Sequence, residues 1–178
     1  EVQSLAADGH HEVLLTEAGG KRISTPNFPV VDSKKRLWVS NSTYRQNLDE
    51  ALQKPAADGS IVLIENGVSR IVAEEIYFAN GLATDEEEKF LYVAETMKRR
   101  ILRFQIDADG TLSDREVYGP GFLGKLGFPD GIAFDEAGNR WITFPLRNAI
   151  GYLSPDRELE IFLEDPEGRV LKRPSNIC

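Results

Sequence analysis

Phe78-Ala79-Asn80-Gly81-Leu82-Ala83-Thr84-Asp85 is the stretch on which the reading of this chain turns, because the chain contains it again. Downstream, Phe128-Pro129-Asp130-Gly131-Ile132-Ala133-Phe134-Asp135 repeats it, and upstream Thr25-Pro26-Asn27-Phe28-Pro29-Val30-Val31-Asp32 follows the same plan. Each copy has an oxygen-bearing head residue (Asn27, Asn80 or Asp130) five positions before an aspartate. Six positions after that aspartate stands a large apolar residue: Trp38, Leu91 or Trp141. The copies align over this span without a gap, at intervals of 53 and 50 residues.

Around each copy lie short apolar runs separated by turn residues, the pattern of an all-β chain. Residues 1–19 hold two runs joined by Ala7-Asp8-Gly9, which reads as a partial blade. Residues 25–76 give four strands interrupted by an insertion at 43–58, where Leu48, Ala51 and Leu52 allow one or two helical turns. Residues 77–120 and 127–165 give four strands each, and 172–178 opens like a further repeat. Four strands per repeat at about 45–53 residues points to a β-propeller, although the degenerate repeats leave a β-sandwich open on pattern alone. Propellers have about four to eight blades. The expectation is therefore one domain over 1–178. It would form an incomplete arc, about three full blades plus partial ones, cut from a larger ring. The exposed blade edges of such an arc suit self-association.

Composition narrows the function. A net charge of −8 argues against nucleic acid as a partner, since phosphate binding needs a basic footprint. No apolar run approaches the roughly 20 residues of a membrane span. The single Cys178 permits no intrachain disulfide and suits a reducing compartment, so the reading is cytoplasmic. The chain opens mid-pattern, which leads us to expect that a native N-terminus is missing.

Inner strands of a propeller start at one end of a central channel, so equivalent head positions point toward one axis. Asn27, Asn80 and Asp130 hold those positions and bring two amide oxygens and one carboxylate. These are hard oxygen ligands of the kind Ca²⁺ prefers and Zn²⁺ uses less often. Calcium takes six to eight oxygens, so three side chains make an incomplete shell. Asn-Gly and Asp-Gly are also ordinary turn pairs, and periodicity alone favours that plainer reading.

The blocks from Asn80-Gly81-Leu82-Ala83 through Leu91-Tyr92-Val93-Ala94-Glu95-Thr96 and Arg99–Phe104 resemble the regucalcin/gluconolactonase family of six-bladed propellers. So does Phe128-Pro129-Asp130-Gly131 through Trp141. The resemblance implies a divalent-metal-dependent lactone or ester hydrolase acting on a small lactone or sugar acid. It implies Asn80 and Asp130 as ligands of a divalent metal, commonly Ca²⁺, with Zn²⁺, Mn²⁺ or Mg²⁺ as alternatives. Asp130 would also be the catalytic base. Asn27 would ligate the metal or hold substrate, and Thr25 stands where some members carry a substrate-binding arginine. The aspartate that often follows the head is Phe28 here. The family's first-blade glutamate ligand has no counterpart, because that blade would precede Glu1. Tyr44 and Arg45, at the start of the insertion, are further candidates for substrate contact if the insertion acts as a lid.

Two other readings stay open. Strictosidine synthase-like propellers share the Val-Ala-Glu-Thr phrase, and non-catalytic NHL-like propellers have similar blades without needing an oxygen ligand at each head. The remaining polar features have plainer expectations. His10-His11 and Asp85–Glu88 read as solvated turn residues, Glu95 as a structural hydrogen-bonding group, and the sequon Asn41-Ser42-Thr43 as accidental.

Overall fold

Each of the three repeats folds as a four-stranded antiparallel meander, and the repeated aspartate explains why its first hairpin closes. In the computed structural model, which describes all 178 residues, Asp32, Asp85 and Asp135 each begin a four-residue turn. Each carbonyl accepts the N–H three residues on, from Lys35, Glu88 or Gly138. Each carboxylate accepts the next N–H, from Arg36, Lys89 or Asn139. The fourth turn residue lies in the left-handed region in every copy, at φ of 62°, 52° and 79°. Only the third copy places glycine there, where L side chains are disfavoured.

The large residue six positions on has its reason too. The Trp38 indole donates to Asp32 Oδ2 at 3.0 Å, and the Trp141 indole donates to Asp135 Oδ2 at 2.8 Å. Asp32 also pairs with the buried Arg36 guanidinium. One aspartate thus ties the turn to the second strand of the blade.

The chain divides into two compact units, Glu1–Ala79 and Asn80–Cys178. The first begins with the hairpin β1 (Val2–Leu5) and β2 (His11–Leu15), turning on Gly9. A second small hairpin follows, β3 (Glu17–Ala18) and β4 (Lys21–Arg22), which the sequence pattern did not announce. The meander comes next: β5 (Pro26–Val31), β6 (Leu37–Asn41), β7 (Gly59–Glu65) and β8 (Val68–Ile76). The expected helical turns are α1 (Leu48–Gln53), capped by the Asn47 side chain, which accepts the Glu50 N–H. Leu15, Ala18, Ile23 and Val62 form a buried cluster on which Val2, Tyr44, Ile64 and Ile71 pack.

The second unit holds two blades. One is β9 (Ala79–Thr84), β10 (Phe90–Glu95), β11 (Arg100–Ile106) and β12 (Leu112–Tyr118), with a 3₁₀ turn at Thr96–Lys98. The other is β13 (Ile132–Phe134), β14 (Arg140–Phe144), β15 (Ala149–Leu153) and β16 (Leu159–Glu164). Between these two blades Tyr92, Ile101, Tyr118, Ile142, Phe144 and Leu153 are buried together. The Arg140 guanidinium stacks on Tyr92, Tyr118 and Phe134 and donates to the Tyr92 hydroxyl at 3.0 Å. A charge is tolerated there because aromatic faces and a hydroxyl replace its water. The fold is all-β and propeller-type, and its separate sheets do not close into a ring.

Candidate functional site

The head residues are not turn residues, which corrects the reading that periodicity alone favours. Asn80 and Gly81 lie inside β9, and none of Asn80, Gly81, Asp130 or Gly131 has positive φ. The glycines are required by close approach instead. A Cβ on Gly81 would sit 2.2 Å from the Asp130 carbonyl oxygen, the same atom that accepts the Gly81 N–H at 2.9 Å. A Cβ on Gly131 would meet Asn176 at 2.8 Å, so the chain at 172–178 lies against this blade as Asp130 lies against Gly81.

Asn80 and Asp130 are therefore brought together. Asp130 is fixed from its own blade: its N–H donates to the Thr143 carbonyl, and the next N–H, of Gly131, donates to Thr143 Oγ1. Burial pushes the Asp130 carboxyl up to about 6, while a hydrogen bond from the Asn80 side chain opposes this and offsets it only in part. A carboxyl with that pKa can take up and release a proton near neutrality, which suits a general base.

Asn80 is buried, and its amide has a determined orientation. Thr96 Oγ1 donates its one hydrogen to the Pro129 carbonyl at 2.7 Å. Toward Asn80, at 3.2 Å, that hydroxyl can only accept, so it faces the amide Nδ2. Asn80 Oδ1 is left buried with no hydrogen-bond partner. An orphaned buried acceptor is costly, and at a binding site it is what a cation or a donor from the substrate would satisfy. An amide oxygen and a carboxylate are donors of the kind a hard divalent cation such as Ca²⁺ or Mg²⁺ takes. No three His, Cys, Asp or Glu side chains group as a metal site.

The other candidates belong to the first unit. Asn27 is exposed and donates through Nδ2 to Ser42 Oγ at 3.0 Å, and Ser42 Oγ donates onward to the Ala79 carbonyl. The Thr25 N–H donates to Asn41 Oδ1, and its carbonyl accepts the Ser42 N–H. The Tyr44 hydroxyl bonds Ser60 Oγ at 2.8 Å and its carbonyl accepts from Ser24 Oγ. Arg45 spans the insertion, donating to the Lys54 carbonyl at 2.8 Å and pairing with Asp58. The hydroxyls Ser42, Thr96 and Thr143 escaped sequence reasoning. The available signal was a hydroxyl directly after the second strand in two of the three repeats.

The remaining polar features take structural roles. Glu95 is fully buried and pairs with Arg100 and Arg115, while Asn41 of the sequon is fully buried and bonded to Thr25. His10 and His11 are exposed, and Asp85 caps its turn.

Residues 2–171 match the family model described as the SMP-30/Gluconolactonase/LRE-like region. The chain belongs to that family. It is 27% identical over 183 residues to a gluconolactonase of Zymomonas mobilis, covering 93% of this chain and 48% of that protein. It is also 27% identical over 148 residues to the strictosidine synthase-like protein 6 of Arabidopsis thaliana, covering 80% of this chain and 38% of the relative. The solved structure of a gluconolactonase from Xanthomonas campestris superposes with a TM-score of 0.76 at 25% identity, over 98% of this chain and 57% of that one. The chain thus spans less than half the length of these two curated relatives. No helix is long and apolar enough to cross a membrane.

Proposed function

We propose that this chain is part of a lactone hydrolase of a six-bladed propeller, with Asn80 and Asp130 as ligands of a divalent cation, most simply Ca²⁺. The observation that carries the reading is a buried, unpartnered amide oxygen on Asn80, whose neighbour Gly81 bonds the Asp130 backbone directly. A bound cation would supply Lewis acidity toward the lactone carbonyl. Asp130 takes a proton from the attacking water, whose oxygen adds to the carbonyl carbon. The ring C–O bond then breaks, and the alkoxide recovers a proton from Asp130, leaving a hydroxy acid. Thr143 holds the Asp130 backbone in place for both transfers. The roles that the family resemblance gives Asn27 and Thr25, in metal or substrate binding, are part of the same proposal. Tyr44 and Arg45 as substrate contacts belong to it too.

The test is hydrolysis of a panel of aldono- and aliphatic lactones by the complete protein, with and without EDTA. Hydrolysis that EDTA abolishes and added Ca²⁺ restores is the expected outcome; no EDTA-sensitive hydrolysis anywhere on the panel sinks the reading. The similarity to a strictosidine synthase-like protein favours a second reading, a propeller whose chemistry needs no central metal. Activity indifferent both to EDTA and to Asn80→Ala would select it.

A further inference from the structure

The hydrogen bonds of Thr96 recur in the other unit. There Ser42 Oγ accepts from the amide of Asn27 and donates to the carbonyl of Ala79, the residue before the next head. Thr96 Oγ1 accepts from the amide of Asn80 and donates to the carbonyl of Pro129, again the residue before the next head. The hydroxyls stand 15 and 16 residues after their heads, each directly following the second strand of its blade. In the third repeat the residue in that place is Pro145, and the head is Asp130.

That exception has a chemical reason. A side-chain amide has one accepting end and one donating end, and a half-turn about its terminal bond would aim N–H₂ where an oxygen is needed. A carboxylate accepts at both ends and cannot be turned the wrong way. An orienting hydroxyl is needed behind an Asn head and is superfluous behind an Asp head, which is the distribution observed.

We propose that Thr96 is a positioning residue: its hydroxyl, locked as a donor to the Pro129 carbonyl, holds the Asn80 amide with Oδ1 free to ligate a hard cation. This rests on the reading of Asn80 as a cation ligand. The same hydroxyl ties the backbone beside Asp130 to the amide of Asn80, so both head residues depend on it. By this logic Ser42 does the same for the amide of Asn27.

The experiment is calcium titration by calorimetry on the full chain, in a double-mutant cycle over positions 80 and 96. Thr96→Val keeps the shape and removes the hydroxyl; the expected result is about a tenfold or greater loss of affinity, the usual scale for a residue that orients a ligand. Thr96→Ser restores the affinity to within about threefold. In an Asn80→Asp background the loss caused by Thr96→Val falls below about twofold, because a carboxylate needs no orientation. A Thr96→Val loss of equal size in both backgrounds means that the hydroxyl only supports the Pro129 backbone, and overturns the proposal. So does wild-type binding that Thr96→Val leaves unchanged while Asn80→Ala weakens it. Absence of calcium binding in the wild type removes the metal reading itself. The Asn80 side-chain N–H₂ resonances then decide the orienting role alone. Protection from exchange that Thr96→Val abolishes supports it, and free exchange in the wild type overturns it.

Discussion

Asp130 and Asp135 flank the three-residue strand β13, yet the protein treats the two carboxyls in opposite ways. Asp135 is held down to about 2, first by the Asn139 side-chain amide and then by the Trp141 indole, with backbone N–H groups adding to both. Asp130 is pushed up to about 6, because burial strips its water and the Asn80 side chain returns only part of what is lost. One end of the strand is a closed set of hydrogen bonds that makes the blade fold. At the other end the folded state carries a carboxyl short of partners and an amide oxygen with none. Groups left in that condition are the ones available to a ligand.

The sharpest way to break this contrast is Asp130→Asn. Hydrolysis should fall by about 10²–10⁴-fold, the usual worth of a positioned base, as read by steady-state lactone assays. Retention of more than about a tenth of the activity would mean that the carboxyl is not the base. Asp135→Ala should do the reverse, lowering the melting temperature by several degrees while calcium affinity changes by less than about twofold. A variant that lost affinity and kept its melting temperature would erase the distinction between the two ends.

A smaller effect has the opposite sign. The Asp130 carboxyl goes from an ordinary 3.8 to about 6 on folding, so it binds its proton more tightly in the folded chain. Its stabilising contribution is complete below pH 3.8 and is lost as pH rises through 6. Without cation, Asp130→Asn should therefore melt about 2–4 °C above the wild type at pH 8, roughly 1 kcal/mol after allowance for solvent screening, with the gap closing toward pH 4. Melts in EDTA across that range check it. Asp135 obeys the other sign: its contribution is present above pH 3.8 and is lost only as pH falls through about 2. The smallest expected change is in the turn that all repeats share. Lys35→Gly should stabilise the first blade by up to about 1 kcal/mol in chemical denaturation, because Lys35 is held at φ 62° where the third repeat uses Gly138.

Much of the fold was legible because the repeated aspartate and the residue six positions on act together, and that spacing survives in the sequence. The strands β7, β14 and β15 fall where their apolar runs place them. The hairpin β3–β4 was not legible, since two-residue strands display no alternation. Asn80-Gly81 and Asp130-Gly131 looked like turns because those pairs usually are; only their packing shows that glycine is there for lack of a side chain. The orienting hydroxyls were hidden by a change of one residue in their spacing: β6 has five residues and β10 six, so the gapless alignment of heads puts Ser42 and Thr96 out of register.

The 2.9 Å bond from the Gly81 N–H to the Asp130 carbonyl sets how far apart the two heads stand, and it is made by main chain alone. Spacing and chemistry at this site are thereby independent variables. Exchanging the side chains at 80 or 130 changes which groups are offered to a ligand and leaves this main-chain bond in place. A single methyl group on Gly81 would push the Asp130 backbone away and move the two heads apart without changing the groups they carry. A scaffold so divided can acquire new reactions by substitution at its heads while its dimensions stay inherited.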